Sequence, residues 1–389
     1  MERSGVYIHI PFCRNKCLYC DFYSAGLRIA DWPKYINCLL KELNERQKEL
    51  FLTPSTLYIG GGTPSLIPVS EFEWLIHSVN EVWGVKNWDE FTIEVNPEDI
   101  NENKCDIWKK SGVNRISIGI QSLCDEELQK IGRRHSASEA IEAIRLLKKY
   151  FRNISVDLMF GLPGQTPKSY KENLKAILNL SPQHISSYAL MLEPGTPMTL
   201  LQKEKRINLP DENEWEEMYR TTHNILKENG YIRYEISNFA LPGFESLHNS
   251  SYWLSYPYLG IGPGAHSYDG NRTRRGNPSD LKRYLNFFSP GSENDTKNYR
   301  DLIDTEKFYE EEYLSDIELK EEYILTRLRM ANGIDINEFS NKFGEIETKR
   351  ILAKSEKYVN SAEMFLSDES LGFTDKGIAI SDRILSDLI

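Results

Sequence analysis

Short apolar runs rich in β-branched residues alternate with longer amphipathic segments through the first half of the chain. Runs of the first kind predict buried strands, and apolar positions three and four residues apart predict helices packed on them. Strand–helix repeats imply parallel strands joined by right-handed crossovers, and eight such units would close a full barrel. Six units therefore predict an α/β fold with a partial, three-quarter parallel β/α barrel. The predicted strands are Val6–Ile10, Thr56–Ile59, Phe91–Val95, Arg115–Ile118, Ile154–Phe160 and His184–Leu190.

The pattern changes after Pro197. A helix is predicted over Asp211–Asn229 and a strand over Tyr231–Ser237, and a loop-rich stretch follows as far as about Pro290. The Gly, Ser and Asn residues of Gly291–Asp295 predict a polar connector between two parts of the chain.

The C-terminal part of the chain predicts mainly helices, the first over Glu306–Leu314, and a small hairpin around Leu371. This order of elements resembles a winged-helix arrangement. We therefore expect three domains, which are a barrel in residues 1–195, an extension completing the core in 196–295, and a C-terminal, mostly helical domain in 296–389.

Composition narrows the class of protein. The chain has 389 residues, of which 40% are hydrophobic and 27% charged, as is ordinary for a globular protein. Its net charge of −11 argues against a nucleic-acid surface, even on the winged-helix-like part. The chain has no apolar run near the ~20 residues that span a bilayer and no signal-peptide pattern, which predicts a cytoplasmic protein. The scattered Cys38, Cys105 and Cys124 suit a reducing compartment.

Three other cysteines form one compact motif. Cys13, Cys17 and Cys20 follow the first predicted strand with the spacing C-x3-C-x2-C. Zinc sites and [4Fe–4S] clusters usually take four protein ligands, and no fourth Cys or His lies nearby. Three thiolates would therefore leave one iron of a cubane open to a small molecule. Reduced structural cysteines and a structural zinc module are the alternatives.

The motif and its surroundings resemble the radical S-adenosylmethionine (SAM) superfamily. The resemblance rests on the spacing, on Tyr7-Ile-His-Ile-Pro before the first cysteine, and on Tyr19 before the last. It implies that Cys13, Cys17 and Cys20 hold a [4Fe–4S] cluster. It also implies that SAM binds the open iron and that one electron cleaves it to a radical.

Polar residues and glycines stand where successive predicted strands end. Gly60–Gly62 would let the backbone approach a ligand, although glycine runs are often only tight turns. Glu94 lies in an apolar strand, where a SAM contact and an ion pair with Arg115 are the two interpretations. Ala189 and His266 rest on family alignment alone. The resemblance implies a SAM shell made of Tyr7, Tyr19, Gly61, Gly62, Thr63, Glu94, Gln121, Arg133, Asp157, Ala189 and His266.

Two later motifs are typical of one family. His248-Asn-Ser-Ser-Tyr-Trp253 offers an imidazole and two aromatic rings, which suit a flat macrocycle and its iron, and a loop with a buried Trp is the alternative. Tyr258–Ser267 is rich in glycine. With Gly-Gly-Gly-Thr-Pro and Glu193-Pro-Gly-Thr-Pro, these motifs resemble the coproporphyrinogen III oxidase-like radical SAM proteins. That family contains the oxygen-independent coproporphyrinogen III dehydrogenase, which decarboxylates propionates, and a haem chaperone.

The chain departs from the enzyme in that family. The enzyme has a further Cys where this chain has Phe22. It also has an N-terminal extension that helps cover the active site, whereas only six residues precede Tyr7 in this chain. The His248–Trp253 motif fits the chaperone, so we expect a haem chaperone whose enzymatic activity is uncertain. Its expected partners are haem and haem-accepting apoproteins, without nucleic acid. The expected oligomeric state is a monomer or a cluster-linked dimer, and peripheral membrane contact is left open.

The expected haem site lies at the open edge of the barrel, in the 196–295 extension. His248 is the expected iron ligand, and three arginines are expected to receive the propionates, with a solvated turn as the alternative. The full set of expected haem residues is His248, Tyr252, Trp253, Arg272, Arg274 and Arg275.

Overall fold

The computed structural model describes residues 3–289 and 308–389. Its main sheet has twelve strands, and smaller sheets of two and three strands lie beside it. The strands are β1 (Gly5–Ile10), β2 (Phe12–Cys13), β3 (Ala25–Gly26), β4 (Thr56–Gly61), β5 (Glu90–Val95), β6 (Arg115–Gln121), β7 (Ile154–Phe160), β8 (His184–Ala189), β9 (Ile232–Arg233), β10 (Asn238–Ala240), β11 (Tyr258–Ile261), β12 (His266–Tyr268), β13 (Thr273–Gly276), β14 (Glu310–Tyr313), β15 (Ile334–Asp335), β16 (Met364–Leu366) and β17 (Ser370–Phe373).

Fifteen α-helices are described with these strands. They are α1 (Trp32–Arg46), α2 (Val69–Trp83), α3 (Glu102–Lys110), α4 (Asp125–Lys130), α5 (Ala137–Tyr150), α6 (Pro167–Asn179), α7 (Pro197–Lys203), α8 (Glu212–Glu228), α9 (Leu247–Trp253), α10 (Leu281–Phe288), α11 (Asp316–Arg329), α12 (Ile336–Phe343), α13 (Glu345–Asn360), α14 (Asp375–Ile378) and α15 (Ser381–Leu388). Side-chain caps start several of them, and Ser136, Thr166 and Asp211 each form a capping box.

The predicted partial barrel is confirmed. Strands β1, β4, β5, β6, β7 and β8 are neighbours in this order, and every pair among them is parallel. Helices connect consecutive strands, as right-handed crossovers require. All their carboxyl ends therefore meet at one edge, which is where ligands bind in parallel α/β folds.

The sheet is wider than predicted, because both ends are extended by short strands. On one side β11 adds a seventh parallel strand beside β1, and β12, β13 and β14 continue in antiparallel order. On the other side β10 and β9 follow β8. The expected loop-rich stretch before Pro290 thus contributes strands, and the helix predicted over Glu306–Leu314 is wrong at Glu310–Tyr313, which form β14. Three- and four-residue strands are too short to show a period in the sequence.

Side chains alternate between the two faces of the parallel strands. Apolar residues such as Ile93, Ile118 and Val156 point outward and pack in the main core beneath the helices. The intervening positions, including Ser117 and Asp157, point into the barrel and are polar. The barrel interior is therefore a polar chamber with an apolar shell.

The C-terminal part has its own core, formed by residues such as Leu328, Phe339, Leu371 and Ile384. Its helices pack around the three-stranded sheet β15–β17–β16, which agrees with a helical, winged-helix-like unit. The predicted connector at Gly291–Asp295 and the boundary at 295/296 lie outside the described residues. The division into 1–195, 196–295 and 296–389 thus stays a prediction. Within the described ranges, no helix is long and apolar enough to cross a membrane.

Candidate functional site

A cavity of about 450 Å³ opens at the carboxyl ends of the parallel strands. It is lined by all but two of the residues predicted for the cluster and for SAM. Ligand sites in parallel α/β folds occur at this edge, and this volume lies within the range of small-molecule pockets. The predicted residues that line it are Cys13, Cys17, Tyr19, Cys20, Gly61, Gly62, Thr63, Glu94, Gln121, Arg133, Asp157 and Ala189.

A buried histidine fixes the start of the cysteine loop. The ring of His9 lies 3.0 Å from the Tyr7 hydroxyl and 3.1 Å from the Tyr23 carbonyl, measured from its two nitrogens. Burial lowers the pKa of His9 to about 4, so the ring is neutral at physiological pH. Gly61, at φ +114°, packs directly on this ring, where a Cβ would lie 2.6 Å from His9 Cε1. Strand β1, the cysteine loop and the glycine run are thereby held together.

The three thiols of the loop are free and partly exposed toward the cavity. Thr63 Oγ1 donates to Cys13 Sγ at 3.5 Å, and Arg133 Nη1 donates to Cys17 Sγ at 3.7 Å. A Cβ on Gly62 would lie 3.0 Å from Cys13 Sγ, so glycine keeps this side of the sulfur open. Donors to sulfur and an unfilled space beside it suit thiolate ligands of an iron–sulfur cluster.

The geometry does not suit a mononuclear zinc site. Across residues 3–289 and 308–389, no three His, Cys, Asp or Glu side chains are grouped so as to hold one metal ion. In a cubane each thiolate binds a different iron, so the three sulfurs surround a cluster and need not meet at one point. The donor set therefore fits a [4Fe–4S] cluster better than structural zinc.

Glu94 reaches the cavity and carries a perturbed carboxyl group. Tyr58 donates to its Oε1 at 2.7 Å and the Gly61 backbone N–H donates to its Oε2 at 3.1 Å. Burial raises the pKa of Glu94 to about 7, and the hydrogen bond from Tyr58 opposes this rise. Within the described residues Tyr58 and Gly61 are the partners of the two Glu94 oxygens, and Glu94 forms no ion pair with Arg115.

Gln121 and Arg133 each have a buried polar atom without a partner among the described residues, whereas Asp157 is hydrogen-bonded. Gln121 has φ 69° at a register shift in β6, and its buried Oε1 has no hydrogen-bond partner within residues 3–289 and 308–389. Arg133 donates to Asn96 Oδ1 at 2.8 Å, whereas its Nε has no hydrogen-bond partner in the part of the chain that the structure describes. Asp157 accepts a hydrogen bond from Ser117 at 3.1 Å, and burial raises the pKa of its carboxyl group. Unpaired buried groups and backbone strain are typical of ligand sites.

Two predicted SAM residues do not line the cavity. The Tyr7 hydroxyl lies within hydrogen-bond distance of His9 Nδ1, and the Tyr7 ring centroid lies 6.1 Å from that of Tyr58. His266 is exposed on β12, and its ring lies beside Gly276 of β13. The direct SAM contact predicted for these two residues therefore has no support in their positions and stays a prediction.

The position of His248 contradicts its predicted role as haem ligand. Its side chain is 1% exposed on α9, and burial lowers its pKa to about 3. Its Nδ1 lies 2.8 Å from Thr56 Oγ1, and its Nε2 lies 2.9 Å from the Tyr252 hydroxyl. The ring also stacks on Tyr58 at 5.1 Å. Neither nitrogen is free to bind iron, so the motif anchors α9 to the barrel instead.

The aromatic residues that end α9 have different neighbours. Tyr252 packs edge-on against Tyr258, with ring centroids 4.6 Å apart. The backbone carbonyl of Trp253 accepts a hydrogen bond from Arg327 of α11 at 2.6 Å, and Arg329 lies over the Trp253 ring. This end of the motif therefore contacts the C-terminal unit.

The three arginines predicted to receive propionates are already paired. Arg272 forms an ion pair with Asp316, and Arg274 forms one with Glu322. The third, Arg275, pairs with Glu49 and Glu311. These contacts join β13 to β14 and α11, so the arginines form partly exposed ion pairs, and the propionate site and its alternative stay predictions. A propionate that bound one of these arginines would compete with the carboxylate already paired with it.

Several cavity residues were not predicted. Tyr58, Ser117 and Ser186 line its inner wall, and Tyr188 and Met191 lie near its mouth. The usable signal was the period of two in each strand, which places a polar residue on the inner face beside every apolar residue on the outer face. The period of two predicts which residues face the chamber, but it does not predict which of them contact a ligand.

Comparison with known proteins first identifies the class. The chain matches the radical SAM superfamily over residues 7–177, the segment that carries the cysteine loop and the first five strands of the barrel. The solved structure of Escherichia coli coproporphyrinogen III oxidase (HemN), a radical SAM enzyme, superposes with a TM-score of 0.80 at 20% identity. The structural similarity covers 100% of this chain and 90% of the HemN chain, and it shows that the two proteins share a fold. The chain is a radical SAM protein.

Relatives of higher identity then identify the family. The haem chaperone HemW of Lactococcus lactis is 34% identical over 382 residues, covering 98% of this chain and 96% of its own. HemW of Bacillus subtilis is 36% identical over 343 residues, 87% of each chain. A mitochondrial radical S-adenosyl methionine domain-containing protein 1 of Danio rerio is 30% identical over 99% of this chain and 87% of its own. The chain belongs to the HemW family.

Proposed function

We propose that the protein is a haem chaperone, which binds haem and delivers it to apoproteins. The observation that carries this proposal is the similarity, over nearly the whole length of both chains, to a protein named as a haem chaperone. The radical SAM superfamily is defined by a [4Fe–4S] cluster and SAM, and the cavity at the barrel edge supplies residues suited to both. We also propose that the protein is cytoplasmic.

The cluster is held by Cys13, Cys17 and Cys20 in this proposal. Their support is the open side of Cys13 and the donors that face two of the sulfurs. The test is iron and sulfide content after anaerobic reconstitution of Cys17→Ser beside the matched control Cys124→Ser, which lies outside the cavity. We expect Cys17→Ser to lose the cluster and Cys124→Ser to retain it.

SAM occupies the rest of the cavity. When bound at the open iron, it supplies a sulfonium that one electron can cleave. The chain's own groups would orient it: the Glu94 carboxylate accepts hydrogen bonds from the SAM amino group, and Arg133 pairs with the SAM carboxylate. Asp157, held by Ser117, accepts from a ribose hydroxyl. Equilibrium binding of SAM to Asp157→Asn, compared with wild type, tests this arrangement, and unchanged affinity would contradict it.

Haem is the cargo and lies at the open edge of the barrel. The test is a haem titration of the full chain, followed by transfer to a haem-free acceptor protein. Saturable binding and transfer support the proposal, whereas absence of saturable binding removes it. Gel filtration with and without the cluster distinguishes a monomer from a cluster-linked dimer, and flotation with lipid vesicles tests peripheral membrane contact.

The alternative is the oxygen-independent coproporphyrinogen III dehydrogenase, which is favoured by the shared fold with the oxidase HemN. Phe22 argues against it, because the sequence of that enzyme has a cysteine at this position. Anaerobic protein with SAM and a reductant should leave coproporphyrinogen III unchanged. Sustained formation of protoporphyrinogen would favour the enzyme over the chaperone.

A further inference from the structure

Large apolar side chains are exposed around the mouth of the cavity. Phe22 and Met191 are each 66% exposed and Tyr188 is 40% exposed, and all three line it. Phe22 ends the cysteine loop that follows β1, and Met191 follows β8. The two residues therefore come from the first and the last of the six parallel barrel strands. Exposed apolar groups gathered around a cavity mark a surface that binds a ligand.

The ligand that this mouth fits is broad, flat and largely apolar. An aromatic ring and a thioether present soft, polarizable faces, and aromatic rings favour stacking on a planar π-system. Lys16 places a cation at the same rim, where its Nζ donates to the Phe22 carbonyl at 3.0 Å. Asp21 and Glu193 also line the cavity, so an anionic edge of the ligand is directed to the Lys16 side. An iron porphyrin with carboxylates at one edge has this chemistry.

No histidine is placed to bind iron there. All seven histidines of the chain lie in the described ranges, and none lines the cavity. His9, His184 and His248 are buried with both ring nitrogens engaged, and His266 is exposed on β12 away from the cavity.

Sulfur and phenolate oxygen are the remaining ligand types. Burial raises the pKa of the three tyrosines that line the cavity, so none of them offers a phenolate, and they are Tyr19, Tyr58 and Tyr188. The cysteines of the loop are assigned to the cluster, and Met159 is only 6% exposed in an apolar cluster at the cavity wall. Met191 alone among the cavity's methionines carries an accessible thioether. Methionine is an established axial ligand of haem iron in proteins.

We propose that the Met191 thioether is an axial ligand of haem bound across the mouth of the cavity, with Phe22 stacked on the porphyrin and Lys16 paired with a propionate. This assignment rests on the proposed function, since it takes haem as the cargo. It moves the iron ligand from the buried His248 to the rim of the SAM cavity. Bound haem would then cover the cluster and SAM.

The test is an anaerobic haem titration of the reconstituted full chain with SAM, carried out by visible and near-infrared magnetic circular dichroism. Met191→Leu keeps the apolar volume and removes the sulfur, and Met330→Leu, in the C-terminal part, is the matched control. We expect Met191→Leu to bind haem about tenfold more weakly and to lose the charge-transfer band of thioether-ligated ferric haem. Met330→Leu should bind as wild type does.

Met191→His separates loss of the ligand from loss of the fold. It should restore tight binding, with the spectrum of imidazole-ligated haem. Wild-type affinity and an unchanged spectrum in Met191→Leu would overturn the assignment while leaving the chaperone proposal intact. If wild-type protein itself binds no haem, the proposed function fails and this assignment falls with it. Failure of Met191→His to rescue haem binding, in protein with a full cluster, would also overturn it.

Discussion

Replacing Tyr58 with Phe tests whether Glu94 is the group that receives SAM. The phenol donates to Glu94 Oε1 at 2.7 Å, and this hydrogen bond lowers the carboxyl pKa, which burial has raised to about 7. A hydrogen bond to a charged group contributes about 1.5–3 kcal/mol, and one pKa unit corresponds to about 1.36 kcal/mol. Tyr58→Phe should therefore move the titration of Glu94 upward by about one to two pH units.

The sign of the pH effect follows from the charges. The ionised carboxylate accepts hydrogen bonds from the SAM amino group and the protonated acid does so poorly, so SAM affinity is full above the pKa of Glu94 and falls as pH drops through it. Wild-type affinity should change around pH 7, and the variant should change at a higher pH. At pH 7 the variant should bind SAM about tenfold more weakly and should recover near pH 9.

The assay is equilibrium dialysis of SAM against anaerobic, cluster-loaded protein over this pH range. Tyr234→Phe is the control, because it also removes a buried hydroxyl, but one that bonds to His184 instead of Glu94. Tyr58→Phe and wild-type curves with the same midpoint would refute the role of Glu94. A shifted midpoint in Tyr234→Phe would show that any loss of a buried hydroxyl perturbs the site.

Two further substitutions test the loop and the α9 motif. Gly61→Ala would place a Cβ 2.6 Å from His9, so we expect less iron and sulfide after reconstitution, whereas Gly26→Ala, with open space around it, should retain both. Retained iron in Gly61→Ala would contradict the packing described. His248→Ala leaves buried hydroxyl groups unpaired, so we expect a loss of about 1–3 kcal/mol in the free energy of unfolding, measured with denaturant, and unchanged haem affinity. Weakened haem binding by folded His248→Ala would return this residue to the haem site.

The polar residues at the strand ends could be predicted, because apolar runs recur regularly along the chain and each of these residues lies at or near the end of one. Glu94, Gln121 and Asp157 come after successive strands, and parallel strands bring their carboxyl ends to one edge. The cysteine spacing identified the cofactor class for the same reason, since its ligands are close in sequence. Local patterns therefore sufficed for the barrel and for most of the cavity.

The haem residues could not be predicted, because their partners are distant in sequence. His248 hydrogen-bonds to Thr56, 192 positions earlier, and the motif itself contains no sign of that contact. Arg274 pairs with Glu322 on α11, and Arg275 pairs with Glu311 on β14, a strand that was predicted as helix. Only the assembled sheet shows that these charges are already neutralised.

Transfer of haem tests the central claim most directly. Haem-loaded protein, reconstituted anaerobically with its cluster and with SAM, is mixed with a haem-free acceptor protein, and the haem spectrum of each is followed after separation. Coproporphyrinogen III is incubated with the same preparation and a reductant. The account predicts that haem moves to the acceptor and that coproporphyrinogen III stays unchanged. Haem that never leaves the protein, together with formation of protoporphyrinogen, would contradict it.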